Sequence, residues 1–336
     1  MNLKISVIGG GSWGTALAHL LAEKGYPVHL WVYEADLVAQ LSKSKENTLY
    51  LPGIRLPDRI TATSSLEEAA AGAALLLFVV PSHVARSVLT KLAPLIPEGT
   101  PIVIATKGIE NETLMLMSQV MEDVLPAPHH PNLAILSGPS FAREVCLHHP
   151  TAVVLAARNH DPAVRLQQIL TAPSFKVFTS TDIIGVQLGG ALKNVIALAA
   201  GGSDGLGFGH NTRASLITRG LTEIIRLGKA MGADPKTFSG LSGLGDLILT
   251  CTGELSRNRT VGYQIGLGMR LDDILKQMKM VAEGVHTTKA AYRLSQKYGV
   301  RMPIVEEVYA VLFDGKDPHQ AVTDLMEGAV GDEVET

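Results

Sequence analysis

The sequence predicts a two-domain α/β protein, with a doubly wound, mainly parallel sheet over residues 1–182 and an all-helical domain over residues 183–336. Three observations predict this fold class. Short apolar runs alternate with helical segments in the first half of the chain, as in βαβ units. Several of these runs show no polar alternation, which is typical of strands buried on both faces. Beyond about Asp182, strand-like runs give way to long helical segments.

The first strand and the first helix are joined by a glycine-rich turn. An apolar run ends at Ile8 and meets G-x-G-x-x-G at Gly9, Gly11 and Gly14, and an Ala-rich helical segment follows. The first glycine allows the turn, the second lets backbone approach a pyrophosphate, and the third lets the helix lie close to the strand. Free N–H groups at the helix start face the anion. We predict a Rossmann-like dinucleotide site; the alternative is a merely structural turn.

The remaining elements of the first domain follow in order. The predicted strands are 28–33, 60–63, 73–80, 101–105, 133–136, 151–156 and 175–178, and the predicted helices include 35–43, a segment capped by Ser65, and 112–125. Glu34 lies just past the second strand, where an acid can accept hydrogen bonds from an adenosine ribose. The run 73–80 ends at Pro81-Ser82-His83, which we place at the carboxyl edge of the sheet, where ligands bind in open α/β folds.

The second domain is predicted to consist of helices joined by short loops. The predicted helices are 182–201, 212–231, 259–266, 271–279, 286–298, 303–313 and 317–328. Lys193 is the only charged residue in the stretch 183–201. Burial of an ammonium lowers its pKa, so this lysine could act as a general acid or base. The alternative is a lysine that extends its charged end to water. Gly189 and Gly190, one turn earlier, would leave room for a ligand.

Two further stretches of the helical domain could contribute residues to a substrate-binding site. Residues 239–246 (SGLSGLGD) place Asp246 on a sharply bent loop that could approach a substrate. The alternative is that Asp246 caps a helix over 247–250. Residues 256–259 (SRNR) combine arginine, a bidentate phosphate donor, with neutral donors at a helix start. The alternative there is a solvated basic turn.

Composition argues against several classes of function. A formal net charge of −3 gives no basic field for nucleic acid. Cys146, Cys251 and the adjacent histidine pairs 129–130 and 148–149 have no zinc-ligand spacing, so we predict no metal site and place both histidine pairs in surface loops. No apolar run reaches ~18 residues without polar interruption, which argues against a membrane span. We expect a reduced, cytoplasmic protein.

Together these features are what a dehydrogenase of a small phosphorylated alcohol would need. A dinucleotide fold would bind the cofactor, a buried lysine would move the proton, and a basic cluster would hold the phosphate. Two other classes stay open at this point. One is a hydroxy-acid dehydrogenase in which Arg257 binds a carboxylate, and the other is a dinucleotide-binding redox sensor without turnover.

The chain resembles the bacterial NAD(P)-dependent glycerol-3-phosphate dehydrogenases over essentially its whole length. The matching segments are GGGSWGTALA (9–18), YLPG (50–53), FVVPSH (78–83), ATKGIE (105–110), SGPSFAREV (137–145), ALKNVIA (191–197), GLGDLILTCTGELSRNR (243–259) and VAEGVHT (281–287). The resemblance implies NAD(P)H-dependent reduction of dihydroxyacetone phosphate to sn-glycerol 3-phosphate, a phospholipid precursor. It also implies a cytoplasmic homodimer.

The resemblance implies roles for individual residues. It makes Lys193 the proton donor and acceptor, with Asn194 and Thr250 as partners nearby. Asp246 would orient either this lysine or a substrate hydroxyl. The implied cofactor contacts, besides the glycine turn, are Ser12, Trp13, Tyr33, Lys107, Ala142, Arg257, Val281 and Glu283. The implied substrate contacts are Lys107, Gly138, Ser140, Lys193, Asp246, Ser256, Arg257 and Asn258. Many members carry a basic residue at the position of Tyr33, where it reaches an adenosine 2′-phosphate, so its absence here predicts that NADH is used at least comparably to NADPH.

Overall fold

A computed structural model describes residues 3–278 and 280–328, and no side chain is described for His160. The last residues of the predicted second domain, 329–336, lie outside the described residues. In the described part, an α/β sheet domain is followed by a helical domain, which confirms the predicted fold class. The division at residue 182 stays a prediction. The last strand ends at Ser180, and the long helix after it packs against two strands of the sheet.

The sheet has eight strands in the order β3-β2-β1-β4-β5-β6-β7-β8. The strands are β1 Ile5–Ile8, β2 Val28–Trp31, β3 Ile60–Thr63, β4 Leu75–Phe78, β5 Ile102–Ile104, β6 Leu133–Ser137, β7 Thr151–Ala157 and β8 Phe175–Ser180. All neighbouring pairs are parallel except β6 and β7. The strand order reverses between β1 and β4, so their carboxyl ends form the topological switch point where ligands bind in such sheets.

Helices cover the sheet and build the second domain. Those of the sheet domain are α1 Ser12–Glu23, α2 Ala35–Ser44, α3 Leu66–Ala70, α4 Ser82–Leu92, α5 Met117–Val124, α6 Ala142–Cys146 and α7 His160–Leu170. Those of the helical domain are α8 Ile183–Gly205, α9 His210–Ala230, α10 Asp246–Thr252, α11 Arg257–Gly266, α12 Leu271–Gln277, α13 Glu283–Tyr298, α14 Pro303–Phe313 and α15 Pro318–Glu327. Ser65 caps α3 through a bond from the Glu68 N–H, as predicted.

Two local predictions in the sheet domain were wrong. The helix expected over 112–125 begins only at Met117. The residues before it form a turn, because the Glu110 carboxylate is held by Arg86 and Leu114 adopts a left-handed conformation with φ of 62°. His129 was expected in a surface loop, but it is buried in a short 3₁₀ turn, Ala127–Asn132.

α8 is the central helix of the second domain. Among the described residues it is the one helix long and apolar enough to cross a membrane, but 89% of its most apolar window is buried inside the protein, as in the core helix of a globular domain. Its contact with α11 is made through glycines. A Cβ added at Gly262 of α11 would lie 2.0 Å from the Leu198 carbonyl oxygen, and one added at Gly201 of α8 would lie 2.0 Å from the Arg259 carbonyl oxygen. The two helix backbones therefore touch.

We expect Gly262→Ala to lower the thermal midpoint by several degrees, because the added methyl forces α11 away from α8 at a cost of about 1–3 kcal/mol. Gly202→Ala is the matched control on the same interface. Its Cβ would be in ordinary contact, 3.7 Å from the Gly262 carbonyl oxygen. The control should be neutral or slightly stabilising, since alanine favours helix by up to about 1 kcal/mol. Equal midpoints for the two variants would contradict this account.

Candidate active site

The glycine turn after β1 has the geometry of a dinucleotide cradle. Gly9 has a φ of 127°, and a Cβ there would lie 2.6 Å from the carbonyl oxygen of Val79, just past β4. A Cβ at Gly14 would lie 1.9 Å from the Gly9 carbonyl oxygen, so α1 needs this glycine to pack on the turn. A Cβ at Gly11 would meet nothing within 4 Å. The space over Gly11 lies at the N-terminus of α1 and at the switch point, which suits a pyrophosphate.

Other predicted cofactor residues surround this cradle. The Ser12 hydroxyl donates to the Tyr50 carbonyl oxygen (2.6 Å), and Ala142 begins α6. The Trp13 indole N–H is buried and has no hydrogen-bond partner among the described residues. Tyr33 is 80% exposed. The Glu34 carboxylate accepts a 2.5 Å hydrogen bond from the Tyr50 hydroxyl, so the acid expected to meet a ribose has a protein partner.

The centre of the site is one carboxylate shared by two lysines. Asp246 is fully buried; its Oδ1 accepts from Lys193 Nζ (2.6 Å) and its Oδ2 accepts from Lys107 Nζ (2.8 Å). Lys193, 7% exposed, also donates to the Thr250 hydroxyl (2.8 Å). Lys107 comes from the end of β5 and Lys193 from the middle of α8, so the pair joins the two domains. The alternative of a lysine reaching solvent is wrong for Lys193.

Burial lowers the pKa of Lys193 to about 8, against the opposing attraction of Asp246. The positive charge of Lys107 lowers this pKa further. Near neutral pH the ammonium therefore holds a proton that it can release. Such a group can act as an acid in one direction of a reaction and as a base in the other.

The path of the chain brings Asp246 to the lysines. A π-helical turn, Leu241–Gly245, leads directly into α10, and Asp246 is the first residue of that helix. Its side chain caps no helix N–H, so the capping alternative is wrong. A Cβ at Gly189 would lie 2.3 Å from the Ser242 carbonyl oxygen, and one at Gly190 would lie 2.4 Å from Ser137 Oγ. These glycines allow close packing around α8. The sequence had led us to expect that they leave room for a ligand, and that expectation was wrong.

The end of β6 supplies a second wall. Gly138 has a φ of 137°, and a Cβ there would lie 2.9 Å from Val153 Cα. Its carbonyl oxygen accepts from Lys107 Nζ (2.9 Å) and from the Ser140 hydroxyl (2.9 Å). The predicted substrate residues Gly138 and Ser140 therefore lie beside the shared carboxylate.

The basic cluster at the start of α11 is not a solvated turn: Ser256 and Asn258 are buried, and Arg257 and Arg259 are half-buried with protein partners. Ser256 caps the helix, because its hydroxyl oxygen accepts from the Arg259 N–H (3.3 Å). Arg257 donates from Nη1 to the Val281 carbonyl oxygen (3.2 Å), and burial lowers the pKa of its guanidinium. Asn258 donates to Asn194 Oδ1 (2.9 Å) and accepts from the Gly284 N–H (2.9 Å). The Asn194 side-chain oxygen therefore pairs with Asn258 and not with Lys193.

The sequence did not indicate one contact between the domains. Both oxygens of the Glu283 carboxylate accept bonds from Ser82, one from its N–H (3.0 Å) and one from its hydroxyl (2.5 Å). Two features of the sequence pointed to these residues separately: Ser82 follows a buried strand, and the family resemblance implies a cofactor role for Glu283. Neither feature indicated that the two residues bind each other. Among the described residues, no group of three or more His, Cys, Asp or Glu side chains could hold a metal ion.

Comparisons with known proteins agree on one family. The family models described as the N-terminus and the C-terminus of NAD-dependent glycerol-3-phosphate dehydrogenase match residues 4–163 and 182–323. The glycerol-3-phosphate dehydrogenase (NAD(P)+) of Geobacter metallireducens is 60% identical over 97% of both chains, and that of Geobacter sulfurreducens is 58% identical. A glycerol-3-phosphate dehydrogenase crystal structure from Coxiella burnetii has a TM-score of 0.93 at 40% identity, covering 97% of this chain and 99% of that one.

Proposed function

Since the chain belongs to the NAD-dependent glycerol-3-phosphate dehydrogenase family, we propose that it interconverts dihydroxyacetone phosphate and sn-glycerol 3-phosphate with NAD(P)H or NAD(P)+. The main structural support for this proposal is the buried Lys193 ammonium, which donates hydrogen bonds to Asp246 and Thr250. It lies in the part of the fold where the carboxyl edge of the sheet meets the helical domain.

Lys193 is the proposed proton donor in ketone reduction. An ammonium has three donors, and Asp246 and Thr250 engage two of them. The third N–H is available to the substrate carbonyl oxygen. As that oxygen becomes an alkoxide, Lys193 stabilises its charge and gives it the proton. In the reverse direction the neutral amine removes the proton from the alcohol.

The residues around the glycine cradle fit the nicotinamide cofactor. The backbone at Gly9, Gly11 and Gly14 would hold the pyrophosphate. The further residues proposed to contact the cofactor are Ser12, Trp13, Tyr33, Lys107, Ala142, Arg257, Val281 and Glu283. When bound, the nicotinamide supplies or accepts the hydride. Since Tyr33 is exposed and offers no cation for a 2′-phosphate, we expect NADH to be used at least comparably to NADPH.

The substrate phosphate is assigned to the start of α11. Arg257 provides a planar bidentate donor, and the Ser256 hydroxyl and the second Asn258 N–H add neutral donors beside it. Lys107, Gly138 and Ser140 form the opposite wall, next to Asp246. This arrangement would hold the carbonyl group near Lys193. We further propose that the enzyme acts in the cytoplasm as a homodimer and supplies glycerol 3-phosphate for phospholipid synthesis.

One assay tests the function. Absorbance at the reduced-nicotinamide band is followed after dihydroxyacetone phosphate is added, with NADH and with NADPH in separate runs. Oxidation that depends on this substrate supports the proposal, and a rate ratio favouring NADPH by more than about a hundredfold (~2.7 kcal/mol) would contradict the expected cofactor use. Turnover of a keto acid alone would favour a hydroxy-acid dehydrogenase. Cofactor binding without any turnover would favour a redox sensor.

We expect Lys193→Met to lower turnover by at least ~10²–10⁴, because the variant keeps the side-chain stem and removes only the acid. The fold should survive, since Lys107 remains as a partner of the buried Asp246 carboxylate. Cofactor affinity should change little, because the glycine turn holds the pyrophosphate. Turnover and cofactor binding are measured on one preparation. A variant that binds cofactor and retains more than about a tenth of wild-type turnover would show that Lys193 is not the acid.

The rate of ketone reduction should fall as the pH rises through about 8, where Lys193 loses its proton. Alcohol oxidation should show the opposite dependence, because it requires the neutral amine. Asp246→Asn removes the carboxylate that favours the ammonium, so the reduction profile should move to lower pH. The matched control is Asp273→Asn, at an exposed acid on α12, which should leave the profile in place. The test is a pair of pH profiles of kcat/KM for each protein.

Arg257→Lys should raise the KM for dihydroxyacetone phosphate about ten- to a hundredfold. Lysine cannot copy the bidentate donor, and a lost charge-assisted hydrogen bond is worth about 1.5–3 kcal/mol. The loss in kcat/KM should be far smaller for dihydroxyacetone, which has no phosphate. Steady-state kinetics with both substrates test this. An equal loss with the two would mean that Arg257 does not bind phosphate.

A further inference from the structure

A contact between the two domains lies at the edge of the candidate site. Ser82 is the first residue of α4, and residues 79–81 separate it from the carboxyl end of β4. Glu283 is the first residue of α13 in the helical domain. The Ser82 N–H and hydroxyl each donate to a separate oxygen of the Glu283 carboxylate (3.0 and 2.5 Å). Both oxygens of this acid are thus held by one serine of the other domain.

The contact is closely enclosed. A Cβ added at Gly108, the residue after Lys107, would lie 2.5 Å from Ser82 Oγ and 3.0 Å from Glu283 Oε2. The ring of His83 stacks on the ring of His286 with centroids 4.6 Å apart, beside the Ser82–Glu283 bonds. The start of α4 therefore meets the start of α13 through two pairs of residues, Ser82 with Glu283 and His83 with His286. The loop after β5 packs over the first pair.

Hydrogen bonds continue from this contact into the phosphate-binding region. The Gly284 N–H, next to Glu283, donates to Asn258 Oδ1 (2.9 Å), and Asn258 donates to Asn194 Oδ1 (2.9 Å). Arg257 donates to the carbonyl oxygen of Val281, two residues before Glu283. The start of α13 thus fixes both Arg257 and the residue next to it, and the connection ends beside Lys193 on α8.

We propose that Ser82 is a positioning residue for substrate phosphate: by binding the Glu283 carboxylate it holds the start of α13 on the sheet domain and thereby sets the position of Arg257. This inference rests on the proposed function and adds a residue outside the predicted site. The phosphate group is then bound well only when the two domains are in contact. The sheet domain, which holds the cofactor cradle, contributes in this way to substrate binding.

Electrostatics supports the same connection. Burial raises the pKa of the Glu283 carboxyl, and the hydrogen bonds from Ser82, followed by the charges of His83 and Arg257, act against that rise. Glu283 in turn raises the pKa of the Arg257 guanidinium, which burial lowers. Ser82 therefore helps to keep a negative charge close to the arginine. Without the serine hydroxyl, this charge is less favourable and its position is less restricted.

The experiment compares Ser82→Ala with Ser87→Ala. Ser87 lies on the same helix, is exposed, and its hydroxyl donates only to the Val84 carbonyl oxygen, so it is the matched control. Steady-state kinetics are measured at saturating cofactor with dihydroxyacetone phosphate and with dihydroxyacetone. We expect Ser82→Ala to raise the KM for the phosphorylated substrate about tenfold, the usual effect of losing one hydrogen bond to a charged group. The kcat should change less than the KM, and kcat/KM for dihydroxyacetone should change little.

Two results would overturn the inference. One is a KM for dihydroxyacetone phosphate that is equal in Ser82→Ala and Ser87→Ala. The other is a loss of equal size with both substrates, which would indicate general damage and not a displaced Arg257. If Ser82→Ala does not fold, Ser82→Cys replaces it, since the thiol keeps a side chain of similar size, is only a weak hydrogen-bond donor, and should give the same selective loss. A wild-type protein without turnover of dihydroxyacetone phosphate would refute the proposed function itself, so the two failures are distinguishable.

Discussion

The structure depends above all on the buried Asp246 carboxylate that two lysines share. An ammonium as buried as that of Lys193 is costly unless it is paired, and removing its partner would leave an uncompensated charge inside the protein. Asp246 pairs with Lys193 inside the helical domain and with Lys107 at the end of β5. A single ion-pair network therefore stabilises the contact between domains, lowers the cost of burying the lysine, and holds the ammonium where the proposed reaction would use its proton.

α8 presents this lysine, and its glycines determine what can approach it. Gly189 lets the π-helical turn before Asp246 touch the helix backbone, and Gly201 and Gly205 do the same for α11. The first contact brings the carboxylate to Lys193, and the second packs α11, which begins at Arg257, against the same helix. Glycines that look permissive in the sequence are thus positions where backbone meets backbone. A side chain at any of them would change the distances between Asp246, Lys193 and Arg257.

Several conclusions follow from the sequence alone because they depend on local order along the chain. The turn at Gly9, Gly11 and Gly14 follows an apolar strand and precedes a helix, which specifies the cradle. Unbroken apolar runs predict strands covered on both faces, and the switch to helical periodicity predicts the helical domain. The isolation of Lys193 in an apolar helix indicates a charge in need of a partner. Backbone preference and hydrophobic burial act over short stretches, so these features could be predicted.

Only the tertiary structure decides which polar groups meet. The sequence left Asp246 between a substrate role and a helix cap, and the fold places it between two lysines. Glu34, expected to meet a ribose, binds Tyr50 from the loop after α2. Asn258 joins Asn194 to the start of α13, and Ser82 binds Glu283 across 201 positions of the chain. A polar side chain bonds whatever partner the packing of remote elements brings within about 3 Å, and that partner cannot be derived from neighbours along the chain.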